Sequence, residues 1–181
     1  MRPLLIALIA LGCAPLRQTT DISITCPGAW QARGVVTSPM HVLTAAHIAT
    51  APCPENDGVL LAGGVPVSVA ATNGDAAVMS AGGESWSAWA RAGHGLTVGD
   101  QVCASVGLPR SWRCAAVTEV YDTYVVAEGL RAGYGDSGAG AYANGWLVGI
   151  VSRLGTIIIT WQEWGGLLDG QPRVCLDCRW P

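Results

Sequence analysis

Three short segments of this 181-residue chain carry side chains able to do covalent chemistry together: Thr44-Ala45-Ala46-His47, Gly74-Asp75-Ala76-Ala77-Val78 and Gly135-Asp136-Ser137-Gly138. They offer a general base, an acid to orient it and a nucleophile bracketed by glycines. A serine hydroxyl attacks poorly until an imidazole takes its proton. That imidazole needs a carboxylate on its other nitrogen to fix the tautomer and stabilise the imidazolium. Glycines around the serine let the chain turn so that backbone N–H groups converge where an oxyanion develops. Each segment also has a plainer reading alone: a strand end with a buried histidine, a turn closed by Asp75 after Asn73-Gly74, and an ordinary glycine turn. Their coincidence in one chain, in the order His, Asp, Ser, favours the chemical reading.

Residues so far apart must be brought together by the elements between them. From Gly34 onward, short runs rich in Val, Ile, Leu and Thr recur between Gly, Pro, Asn and Asp: GVVT, HVLT, VLLA, VPVSVAAT, AAVMS, LTVGDQVCASV, CAAVTEV, TYVVAEG, WLVGIVS and TIIIT. Many short strands at this spacing predict an all-β sandwich or barrel. Only TWQEWGGLL near the end offers a turn or two of helix, and its paired glycines weaken it. No internal repeat or low-complexity segment is present.

VLTAAH followed by GDSG resembles the trypsin/chymotrypsin-like serine proteases, whose residue order is also His, Asp, Ser. The resemblance extends to GVVTSPMHVLTAAH, to the segment ending SWRC, which is similar to short bacterial members, and to WLVGIVS. It covers roughly residues 32 to 155. It implies an all-β, two-barrel chymotrypsin-like fold and an endopeptidase working through an acyl-enzyme. By the same resemblance His47 is the general base and acid, Asp75 the orienting acid and Ser137 the nucleophile. The amides of Gly135 and Ser137 form the oxyanion hole, and the Ser152 hydroxyl supports Asp75 from a strand running beside the substrate backbone. Arg131, six residues before the nucleophile, falls at the base of the primary pocket. There it is either a partner for an acidic side chain or a solvated loop residue.

Three departures from the family stand out. Ala139 follows GDSG where a further Gly is usual, so its methyl group must be accommodated. The cysteine that often follows the histidine is Ile48 and its usual partner is Ala32, so that disulfide is missing at both ends. No activation sequence lies at a suitable distance upstream of His47, so Asp136 needs a partner other than a newly cut N-terminus, and the enzyme is expected to form in its active state.

Other candidates rank below these. Asp57 and Asp100 are alternative acids, the second within a VGDQV turn; His41 and His94 read as surface residues. Trp86, Trp89, Trp161 and Trp164 read as packing aromatics in preference to a carbohydrate platform.

Composition narrows the class. The chain is 50% hydrophobic and 13% charged, against a charged share of about 25% in ordinary domains, which excludes disorder. Ten arginines, no lysine and a formal charge of −3 leave no basic patch for nucleic acid. No cofactor or metal is called for; the expected partner is a protein or peptide substrate and the expected state a monomer.

At the N-terminus, the apolar run Leu4 to Gly12 behind Arg2 is too short to span a bilayer and reads as an export signal over residues 1–12. Cys13 after Gly12 resembles the lipobox of bacterial lipoproteins. The expectation is a lipidated Cys13 acting as a membrane tether, or plain cleavage ahead of it. Residues 13–29 then read as lipobox cysteine and tether, 30–168 as the protease domain, and 169–181 as a short Cys-containing C-terminal tail. The product is exported, at the cell envelope or outside the cell. The six cysteines beyond Cys13 read as disulfides in an oxidising compartment. Cys103 and Cys114 close a hairpin around VGLPRSWR, whereas Cys26, Cys53, Cys175 and Cys178 allow three pairings. A second function stays open, a non-catalytic cell-envelope binding module on a protease fold. A third is an esterase with the same three residues.

Overall fold

Alternation of inward and outward side chains builds the first half of the molecule. The computed structural model describes residues 20–87, 90, 93, 95–152 and 157–160. Strands β1 (Asp21–Cys26), β2 (Trp30–Ser38), β3 (His41–Ala45), β4 (Leu60–Ala62), β5 (Val65–Asn73) and β6 (Ala76–Ala81) close into a barrel in the order β1-β2-β3-β6-β5-β4. Ile24, Val36, Val42, Leu60, Val67 and Met79 fill it. The second half is a seven-stranded sheet: β7 (Gln101–Val106), β8 (Ser111–Ala116), β9 (Glu119–Val120), β10 (Tyr124–Val126), β11 (Gly140–Ala143), β12 (Trp146–Val151) and β13 (Ile157–Thr160). Its order is β8-β7-β11-β12-β13-β10-β9. Strands from both ends of that order share one core, with Val102 and Ala115 meeting Val125, Val151 and Ile158, so the sheet wraps around it.

The two halves pack through a third apolar cluster. Val35, Leu43, Ala45, Ala76 and Val78 of the barrel meet Tyr142, Leu147 and Ile150 of the sheet. This explains why GVV in β2 and LVGIV in β12 are apolar on consecutive residues: such strands bury one face in their own core and the other against the opposite half.

Two expectations are corrected here. Residues 13–29 are not tether throughout, because Asp21–Cys26 is a barrel strand paired with both β2 and β4. The alternation of Ile22, Ile24 and Cys26 wins over the flanking Thr and Pro punctuation. Helix also occurs away from the C-terminus: α1 (Ala46–Ala49) is a single turn carrying His47, and short 3₁₀ turns span Pro54–Asn56 and Glu128–Leu130. One turn is too short to show a 3.6-residue period. The proposed export signal, Cys13, His94, Trp89, Trp161, Trp164, the tail with Cys175 and Cys178, and all of TWQEWGGLL beyond Thr160 lie outside the described residues.

Cys103 and Cys114 are directly opposed in the β7–β8 hairpin and disulfide-bonded, as the spacing predicts. Cys26 bonds Cys53, which settles that pairing. It ties the end of β1 to the segment just beyond α1, close to where the family disulfide at Ala32 and Ile48 is missing. Among the described residues no helix is long and apolar enough to cross a membrane.

Candidate active site

Sheet register places the histidine beside the aspartate. In the β3–β6 pair Ala45 faces Ala76, so the chain leaving β3 passes the chain entering β6, and the Ala46 N–H donates to the Asp75 carbonyl at 2.9 Å. One residue further, His47 Nδ1 lies 2.9 Å from Asp75 Oδ1, and the His47 backbone N–H reaches the same oxygen at 3.4 Å. With Nδ1 donating to Asp75, Nε2 is the free basic nitrogen. The other carboxylate oxygen, Oδ2, accepts from Ser152 Oγ at 2.5 Å. Burial works to raise the Asp75 pKa, but the hydrogen bonds from Ser152 and His47 outweigh it and hold the carboxyl below its ordinary value. Both side chains stay partly open, His47 at 17% and Asp75 at 32% exposure.

Ser137 reaches this place from the other half. The Gly138 N–H donates to the Val151 carbonyl at 2.7 Å and the Val151 N–H to the Ala139 carbonyl at 2.8 Å, so the serine loop lies against the end of β12 that leads into Ser152. The Arg33 N–H of β2 donates to the Ser137 carbonyl at 3.0 Å, pinning the loop to the barrel. Gly138 has φ +85°, and a Cβ there would stand 2.0 Å from the Arg33 carbonyl and 2.4 Å from Thr44 Oγ1, so only glycine fits. No hydrogen bond joins Ser137 to His47 among the described residues. Such contacts often tighten only when substrate binds.

The remaining site residues each have a definite place. Gly135 adopts φ +82°, and no described group accepts from its amide or from that of Ser137. Asp136 is buried and accepts from the Gly107 N–H at 2.9 and 3.0 Å and from the Gly133 N–H at 2.8 Å. Its partners are therefore backbone amides. Ala139 is fully buried in the core of the sheet, so its methyl group is accommodated there. Arg131 is exposed, with left-handed backbone at φ 49° and a carbonyl contacted by Arg113. That exposure is what the solvated-loop reading expects.

The alternative candidates lie elsewhere. Asp100 accepts from the backbone and hydroxyl of Thr97 in its turn, exposed Asp57 ends a 3₁₀ turn, and His41 bonds Ser38. Trp86 packs against the barrel core. Among the described residues no group of His, Cys, Asp and Glu could hold a metal ion. Arg33 and Gly107 support the site but carry no mark in the sequence, since what they contribute is a carbonyl and an amide; Thr44, from the histidine segment, adds a buried hydroxyl that donates to the Arg33 carbonyl.

No family model matches the sequence and no curated protein matches it. Solved structures do match. The Rv3671c protease from M. tuberculosis in its active form superposes with a TM-score of 0.59 at 18% identity, covering 83% of this chain and 80% of its own. Kallikrein-related peptidase 10 gives 0.64 at 15% identity over 87% and 97%. The MamO protease domain from Magnetospirillum magneticum gives 0.62 at 15% identity over 84% and 97%. The chain has the fold of the trypsin/chymotrypsin-like serine proteases.

Proposed function

We propose that this chain is an exported serine endopeptidase that cleaves peptide bonds through an acyl-enzyme. The observation that carries the reading is the Ser152–Asp75–His47 hydrogen-bond relay in the fold of serine proteases, with the Ser137 loop docked against the same strand end. His47 Nε2 removes the Ser137 Oγ proton as that oxygen attacks the substrate carbonyl carbon. Asp75 holds Nδ1–H and stabilises the imidazolium. The amides of Gly135 and Ser137 receive the oxyanion. As the tetrahedral intermediate collapses, the proton on His47 passes to the departing amine; a water activated by the same nitrogen then hydrolyses the ester on Ser137. Two disulfides fit an oxidising compartment. Lipidation of Cys13 remains part of the proposal, as a membrane tether for the exported domain.

A fluorophosphonate probe tests this without knowledge of the substrate, because it labels only an activated serine. Labelling of wild type that disappears in both Ser137→Ala and His47→Ala is the expected result. A folded wild type that stays unlabelled would favour the binding-module reading.

A further inference from the structure

Between the two halves lies a buried polar cluster that the hydrolytic steps do not use. The Arg33 guanidinium pairs with Asp21 at 3.0 Å, both side chains being almost fully buried. Tyr142 of β11 donates to Asp21 Oδ1 at 2.8 Å and shares a hydrogen bond with Thr20. On its other side the guanidinium donates from Nη1 to the Ser105 carbonyl at 2.7 Å. Ser105 lies two residues before Gly107, whose amide caps Asp136.

These contacts surround the serine loop. Ser105 and Gly107 lead to the Asp136 side of it, Tyr142 follows it, and the Arg33 backbone touches its middle through the Ser137 carbonyl and the close approach to Gly138. Stability alone is a poor reason for such a cluster. Buried ion pairs rarely repay their desolvation, and apolar replacements are often as stable or more so. Arg33 Nε has no hydrogen-bond partner among the described residues, a further cost. Burial pushes the Asp21 carboxyl up and the Arg33 guanidinium down, against the pull of each on the other.

We propose that the Arg33–Asp21 pair is a positioning device for the Ser137 loop, a latch by which the barrel holds both flanks of the loop so that nucleophile and oxyanion amides stand ready. The latch rests on the proposed hydrolytic function. Arg33 and Asp21 are positioning residues and touch no substrate.

The test uses the full chain and the double variant Arg33→Met, Asp21→Leu, which removes both charges together and avoids leaving one buried and unpaired. Two quantities are read: kinact and KI for the fluorophosphonate, and hydrogen exchange of the amides in residues 133–141. The expected result is a folded protein with KI unchanged, kinact lower by about 10- to 100-fold, and faster exchange across the loop. Arg33→Lys, which keeps the charge but not the forked geometry, should fall between it and wild type. A folded double variant with kinact and loop exchange equal to wild type overturns the latch. If the double variant does not fold, Tyr142→Phe removes one hydroxyl from Asp21; loop exchange must then rise, and unchanged exchange overturns the proposal. An unlabelled wild type removes the hydrolytic function, whereas the exchange arm judges the latch separately.

Discussion

Gly138 has very little conformational freedom. Its left-handed backbone and the Arg33 carbonyl leave no room for a side chain, so Gly138→Ala should cost about 1–3 kcal/mol from backbone strain alone, with the clash adding to it. Chemical denaturation would show the shift in midpoint, and labelling of Ser137 should be lost even where the protein still folds. Asp75→Asn tests a different property, since it preserves shape while removing the charge that holds the imidazole tautomer. The expected loss is about 10⁴-fold in turnover with the fold intact. A loss of only a few-fold would mean that another group orients His47. Arg131→Ala should leave selectivity between acidic and neutral peptides unchanged, because the side chain is exposed; a peptide-library profile of both proteins decides this. These residues differ in how far sequence reveals them. His47, Asp75 and Ser137 sit in segments whose composition reflects their chemistry, whereas Arg33 sits in QARG, which reads as nothing in particular.

At the scale of elements, the β3–β6 register and the Cys26–Cys53 disulfide decide how His47 is held. The disulfide spans 27 residues of chain, worth about 3.5 kcal/mol in the loop-entropy model, against about 3 kcal/mol for the Cys103–Cys114 hairpin. Replacing Cys26 and Cys53 with alanine should lower the thermal midpoint and also reduce probe labelling below that midpoint, because the segment following α1 loses its anchor. Replacing Cys103 and Cys114 should lower the midpoint with less effect on labelling of the histidine-dependent kind. Thermal scans paired with labelling rates separate the two. The hairpin disulfide was legible from a short Gly/Pro-punctuated loop between apolar runs. The Cys26–Cys53 bond was not, because choosing among four cysteines requires knowing that β1 ends beside the loop after α1.

For the molecule as a whole, acid should act through Asp75. Its carboxyl pKa lies below the ordinary value, so the folded state binds fewer protons there than the unfolded chain. The stability this contributes is fully present above the ordinary carboxylate pKa of about 3.9 and is lost as pH falls through the lower folded value. Denaturation midpoints measured from about pH 5 down to about pH 1 should therefore fall more steeply for wild type than for Asp75→Asn. Ser152→Ala should make this loss smaller and complete at a higher pH, because the Ser152 hydrogen bond is the largest of the influences that lower this carboxyl. Parallel curves for all three proteins would contradict the assignment.

What the sequence by itself determined was local: strands of alternating or doubly apolar pattern, glycine-bracketed motifs in the order His, Asp, Ser, and a hairpin closed by cysteines. Each follows from the chemistry of neighbouring residues. Tertiary structure decided what depends on distant chain meeting in space. It made β1 a barrel strand, turned the Ala139 methyl into the core, gave Asp136 two backbone amides as partners, and buried Arg33 against Asp21 at the seam between the halves. An amide donor, a direction of pointing and an electrostatic partner are properties of packing, and no residue type announces them.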